Sequence, residues 1–128
     1  MSKRILNIVT CAYRATLEEQ DDPILWLTHS MRAAKAPVDV LLLSNAVCYL
    51  VRDQDASGLT LGGWSQSHPP RLVDDAAALA DGGASVFYNA ADARTRGIDP
   101  ADVVDAAIPI ETEALPELLS RYDLILNW

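Results

Sequence analysis

Lysine is scarce in this chain, at positions 3 and 35 only, and 10 Lys and Arg residues face 18 Asp and Glu residues for a formal net charge of −8. Binding to nucleic acid relies on clustered cations that neutralise phosphates, so a nucleic-acid partner is disfavoured. The acidity reads as a device for solubility. Histidine occurs only as His29 and His68, and cysteine only as Cys11 and Cys48. No two of these have metal-ligand spacing, which argues against a metal site, and no other cofactor is implied. Glycine is absent until Gly58. The segment after the first apolar run therefore lacks the glycines through which backbone amides approach phosphate, and nucleotide binding by that route is improbable. A phosphorylated receiver domain would place carboxylates after strands one and three, where the chain has Thr10 and Asn89. A nucleophile elbow for Ser-His-Asp chemistry is missing as well. Apolar runs fall far short of the ~20 residues that cross a bilayer. The one near the N-terminus is broken at Asn7 and is too short for a signal peptide. These absences predict a cytoplasmic protein with no membrane partner, in which both thiols stay reduced.

What is there is core. Half of the 128 residues are apolar, enough for one domain over 1–128 that buries roughly two thirds of its unfolded surface. Arg4 to Thr10, Val38 to Leu43 and Ala84 to Tyr88 read as short buried strands rich in branched side chains. Asp22-Pro23 announces a helix, with Asp at the N-cap and Pro at the first helical position. This helix runs to about Lys35, before Pro37. Further helices are expected over 46–51, from Pro69-Pro70 to Asp81, over 89–95, over 100–105 and over 112–122. Residues 52–67 read as a long loop, and long loops in compact domains are often functional. A strand over 107–110 contains Pro109 and so belongs at an edge or an end. The last strand covers 124–127. Strands and helices alternate, which predicts a parallel sheet of about five strands with helices on both faces. A flavodoxin-like order, with strands one and three as neighbours, is the natural expectation.

Several short motifs follow these elements in order: Ala12-Tyr13 after strand one, Ser44-Asn45-Ala46-Val47 after strand two, Val51-Arg52-Asp53-Gln54, Arg96-Gly97-Ile98 after strand three, and a final strand after Asp123 closing on Trp128. In this ordered set the chain resembles the DsrE/DsrF-like proteins, among them TusD-type sulfur-relay subunits and the YchN-like hexamers. The resemblance covers nearly the whole chain. It implies an α/β fold that assembles into homotrimers or homohexamers, with other sulfur-relay proteins as further partners. In the sulfur-relay members a cysteine at the end of strand three carries a persulfide, eight residues before the glycine of the R-G-I motif. Here that position is Asn89, and an amide has no thiolate with which to form a persulfide.

The resemblance thus implies a binding or assembly subunit that does not carry persulfide. Two alternatives stand beside it. Cys11 could serve as the catalytic thiol of a sulfurtransferase, reaching the Asn89 pocket from the neighbouring strand end. Or the chain is a small-ligand module for an anion such as a thiosulfonate or carboxylate, with Tyr13, Arg14, Asn45, Asn89 and Arg96 as binding residues and Glu18, Glu19 and Arg94 nearby. Cys48, between Val47 and Tyr49, is expected to be buried and inert. Trp26, Trp64 and Trp128 read as packing or interface residues, with Trp64 the one most suited to face a partner.

Overall fold

A computed structural model describes every residue except Met1, Ala15, Leu17 and Glu19, so Glu19 lies outside the described residues. In chain order, β1 (Ile5–Val9) leads into α1 (Pro23–Ala33), β2 (Val38–Leu42) and a 3-10 helix over Ser44–Leu50. A small hairpin, β3 (Thr60–Leu61) and β4 (Trp64–Ser65), precedes α2 (Leu72–Asp81), β5 (Val86–Asn89) and α3 (Ala90–Thr95). Pro100–Asp102 forms a 3-10 turn before β6 (Ala107–Ile110). Another 3-10 turn over Thr112–Ala114 runs into α4 (Leu115–Leu119), and β7 (Leu124–Asn127) ends the fold.

The five long strands form one parallel sheet in the order β6-β5-β2-β1-β7. The α/β class, the strand count and helices on both faces are as the sequence implies. The order differs. β2 stands between β1 and β5, so the strands expected to be neighbours are not. The physical reason is that β1, β2 and β5 are nearly equal in burial. The apolar pattern marks all three as central without ranking them. It does mark the edge: Pro109 sits in β6, an edge strand, where its missing N–H costs no ladder bond.

One face is thickly covered. Val9, Val40, Leu42, Val86 and Tyr88 pack under Ile24 and Leu25 of α1, Leu72, Ala76 and Leu79 of α2, and Tyr49 of the first 3-10 helix. α1 starts as the sequence predicts, with Asp22 Oδ1 accepting the N–H groups of Ile24 and Leu25 at 2.8 and 3.2 Å. The other face is thin. α4 is shorter than the 112–122 span expected, and its Leu118 covers Leu6, Ile8, Leu41 and Phe87 together with Tyr122. Ile108 beside Phe87 and Ile125 beside Leu6 remain 40 % exposed at the margins of this face.

Asn7, which interrupts the first apolar run, is fully buried on the thick face. Its Nδ2 donates to Thr28 Oγ1 at 2.9 Å, and its Oδ1 accepts from the Trp128 indole at 3.3 Å. The span read as a plain loop contains the β3–β4 hairpin. It turns at Gly62-Gly63, with Gly62 left-handed at φ 58°, and carries Leu59, Leu61 and Trp64 exposed.

Candidate functional site

The carboxyl ends of β1 and β2 carry an unusual backbone. Tyr13 (φ 59°), Ser44 (φ 52°) and Asp53 (φ 55°) are all left-handed without being glycine. Such conformations persist only where the surroundings enforce them. At Tyr13 the enforcement is a buried chain of hydrogen bonds. The Tyr13 N–H donates to Tyr49 Oη at 2.5 Å, and Tyr49 Oη donates to Asp22 Oδ2 at 2.6 Å. Tyr49 and Asp22 are fully buried. Burial, and then the bond to Asp22, raises the Tyr49 pKa well above the usual phenol range, so the phenol keeps its proton and remains the donor. The Tyr13 ring stands edge-on to Tyr49 with centroids 5.2 Å apart. Its hydroxyl reaches Gln54 Oε1 at 3.5 Å, while Gln54 Nε2 holds the Cys48 and Val51 carbonyls at 3.0 and 2.8 Å.

This arrangement forms one wall of a groove of about 300 Å³. The opposite wall is the first turn of α2, with Arg71, Leu72 and Asp74. No side chain caps this helix at its N-cap, Arg71. An adjoining cavity of about 360 Å³ shares Tyr13, Asp55 and Pro70 and extends the groove toward Thr16 and Gln66. Glu18 latches the two loops together by accepting the N–H groups of Ser67 and of His68, the latter at 2.7 Å. Those backbone bonds hold the Glu18 carboxyl below its ordinary range. The groove offers one guanidinium, Arg71, against the carboxylates of Asp53, Asp55 and Asp74. That balance suits a polar neutral or cationic ligand better than an anion.

The expected binding residues separate into two groups. Tyr13 belongs to the groove. Asn45, Asn89 and Arg96 lie at the ends of β2 and β5, where Arg96 binds Asn45 and all three are held by neighbouring protein groups. Arg96 donates from Nε and Nη2 to Asn45 Oδ1 at 3.0 and 2.8 Å, from Nη2 to Ser44 Oγ at 3.1 Å, and from Nη1 to the Asp92 carbonyl at 3.0 Å. Asp92 Oδ2 accepts the N–H of left-handed Ser44 at 2.6 Å. Asn89 is 3 % exposed. It caps α3 by accepting the Asp92 N–H at 2.8 Å, and its Nδ2 donates to Thr112 Oγ1 at 3.2 Å. Arg94 makes a bidentate pair with Glu111 at 3.0 and 2.9 Å. Arg14 is exposed and lines neither the groove nor its extension. Cys11 is exposed, and the juxtaposition with Asn89 is not formed. With β2 between their strands, the two are separated by roughly two inter-strand spacings, on the order of 10 Å. Cys48 is half-buried rather than buried.

A third polar cluster went unmarked in the sequence. Asp75 on α2 faces Asp21 before α1, and its Oδ2 is buried with no donor. Burial, then the Asp21 carboxyl hydrogen bond and the nearby charges of Asp21 and Asp74, push the Asp75 pKa up to about 7. The pair lines a small cavity of about 170 Å³ with Trp26 and His29. Of the residues missed, Tyr49 left one readable signal: a phenol inside an apolar segment needs a buried partner.

Among the described residues no cluster of three His, Cys, Asp or Glu side chains could hold a metal ion, and no helix is long and apolar enough to cross a membrane. No protein-family model matches the chain, and no curated protein matches it. Solved structures do match. The ychN protein from E. coli superimposes with a TM-score of 0.68 at 16 % identity, over 98 % of this chain and 99 % of that one. The chain has the YchN fold. A second neighbour, MTH1491 from Methanobacterium thermoautotrophicum, a protein of unknown function, gives a TM-score of 0.61 at 15 % identity with the same coverage. The YchN-like fold and the DsrE/YchN-like resemblance read from the ordered motifs agree over nearly the full chain.

Proposed function

We propose that this chain is a cytoplasmic DsrE-like oligomeric protein, one domain over 1–128, that serves sulfur or redox metabolism as a binding or assembly subunit without carrying persulfide itself. The observation that carries the reading is Asn89. At the position where the motif resemblance puts the sulfur-carrying cysteine stands a buried amide whose Oδ1 and Nδ2 are both engaged, with Asp92 and Thr112. The residue supports the start of α3 and offers no nucleophile. The YchN-like fold and the motif resemblance supply the family context.

Self-association as a homotrimer or homohexamer belongs to the same reading, with other sulfur-relay proteins as further partners. Its support is apolar surface: Ile108 and Ile125 on the thin face, Leu124 and Trp128 at the β7 edge, and Leu61 and Trp64 on the hairpin are all at least 39 % exposed. The second reading, a sulfurtransferase using Cys11, is favoured by the exposure of that thiol at the end of a central strand.

One experiment separates the two. The chain is incubated with a persulfide donor and followed by intact-mass spectrometry. The leading reading expects no added sulfur that passes on to an acceptor thiol. An adduct on Cys11 that transfers, and is lost in Cys11→Ser, would make the chain a sulfur carrier. Light scattering at micromolar concentration tests assembly, and a monomer there would remove the oligomeric part of the proposal.

A further inference from the structure

Beside the β6 edge, between α3 and the turn at 98–103, lies a cavity of about 200 Å³ that the reading above does not use. Its walls are largely apolar: Ala93 from α3, Ile98 and Val103 from the turn, and Pro109 from β6. The exposed Arg94–Glu111 pair also lines it. These two side chains already neutralise each other, so the cavity presents little net charge. Tyr88 of β5 lines it too. Tyr88 is only 4 % exposed. Among the described residues its hydroxyl makes no hydrogen bond, and it is not one of the fully occluded orphan oxygens. The backbone of β5 is occupied by strand pairing on both sides. The hydroxyl is therefore the one polar atom that Tyr88 can offer the cavity.

A buried phenol ordinarily finds a partner. Burial also raises the Tyr88 pKa above the ordinary phenol value, which keeps the hydroxyl protonated and able to donate. The size of the cavity limits what can accept. An apolar cavity of about 150 Å³ holds benzene, so about 200 Å³ admits a six-membered ring with one short substituent. A charged ligand fits poorly, because either sign would have to break into the Arg94–Glu111 pair and leave one member uncompensated.

We infer that this cavity is a binding site for a small uncharged ring compound bearing one hydrogen-bond acceptor, such as an aryl or cycloalkyl ketone or aldehyde, whose oxygen accepts from the Tyr88 hydroxyl while the ring packs on Ala93, Ile98 and Val103. The inference is independent of any role in sulfur metabolism.

The test is an amide-resolved NMR titration of the full chain with acetophenone and with ethylbenzene, which have similar shape but differ in the acceptor. Acetophenone should shift the amides of Ala93, Ile98 and Val103 saturably and bind about tenfold more tightly, the factor that one net hydrogen bond supplies. Tyr88→Phe should lower the acetophenone affinity to that of ethylbenzene and leave ethylbenzene unchanged. Ala90→Leu, at a half-buried position on the cavity wall, should weaken both. The inference is overturned if acetophenone produces no shifts at its solubility limit, or if the shifts fall instead on Gln54, Asp55 and Arg71. It is equally overturned if the tenfold preference survives Tyr88→Phe, or if both affinities survive Ala90→Leu.

Discussion

Two clusters share the carboxyl edge of the sheet and differ in how fully their polar groups are used. Around Arg96, the guanidinium fills Asn45 Oδ1 and Ser44 Oγ, the Asp92 carboxylate takes the Ser44 N–H, and Asn89 takes the Asp92 N–H, so the cluster's side chains are engaged within the protein. Around Tyr13, the hydrogen bonds run inward, from the Tyr13 N–H through Tyr49 to Asp22. The Tyr13 ring, Arg71 and the uncapped start of α2 are left facing a groove. Both clusters hold left-handed residues and both sit where α/β proteins bind ligands. Position at the strand ends therefore does not separate a binding surface from a structural clamp. Unspent hydrogen-bonding capacity does.

The comparison breaks hardest at Tyr49. Tyr49→Phe leaves Asp22 Oδ2 and the Tyr13 N–H without their buried partner. At about 1–3 kcal/mol for each orphaned group, the loss should be about 3–4 kcal/mol, read from urea denaturation at neutral pH. A loss below 1 kcal/mol would mean that the chain of bonds does not support Tyr13. Arg96→Ala opens the clamp and should cost about 2 kcal/mol. Arg96→Lys should recover little of it, because one ammonium cannot replace a planar fork that reaches Asn45, Ser44 and the Asp92 carbonyl together. Full recovery with Lys would show that charge, not geometry, holds the clamp.

Asp75 carries the contrast to its limit, as a carboxyl whose buried oxygen has no donor. Its pKa in the fold, about 7, lies above the ordinary carboxyl value of 3.8. The stabilisation from its bound proton is therefore fully present below about pH 4 and is lost as pH rises through 7. Asp75→Asn mimics the protonated form. It should match the parent near pH 4 and exceed it above pH 7 by about 1–2 kcal/mol, a figure reduced for solvent screening of a half-exposed group. Denaturation curves for both proteins across this range check it, and a gap independent of pH would contradict it. The smallest effect belongs to Asn89→Cys. Loss of the α3 cap should cost about 1 kcal/mol. The new thiol should accept sulfur from a persulfide donor if that strand end retains the chemistry of the sulfur-relay proteins, and intact-mass spectrometry reads the adduct.

The sequence revealed the fold through its strongest physical signals. Asp22-Pro23 can start a helix in only one direction, β-branched runs as short as β1 and β5 favour strands, and Pro109 had to lie at an edge. The order of β1, β2 and β5 was not legible, since three strands buried on both faces carry the same pattern. The β3–β4 hairpin passed as loop because each strand has only two residues, although Gly62-Gly63 marked its turn. At the strand ends, Tyr13, Asn45, Asn89 and Arg96 could be named, but not sorted into groove and clamp. The sorting depends on the left-handed backbone at Tyr13, Ser44 and Asp53, which glycine would have advertised and these residues do not. The pattern around Tyr88 marks only a strand, and nothing in its neighbours signals that its hydroxyl stands alone.

The place of β7 has a kinetic consequence. This strand reaches the sheet only by pairing with β1, and the bond that aligns them, from the Arg4 N–H to Asp123, spans 119 residues of chain. The other neighbours along the sheet are joined by much shorter crossovers. Pairings of long sequence separation are expected late in folding, so β7 is expected to dock after β1, β2, β5 and β6, an order that pulse-labelled hydrogen exchange during refolding would check. Until it docks, one flank of β1 keeps its backbone N–H and C=O groups unpaired and the buried Asn7 lacks the Trp128 indole. The flank of β1 that faces β7 should therefore be the last part of the sheet to gain exchange protection, completed by four residues far along the chain.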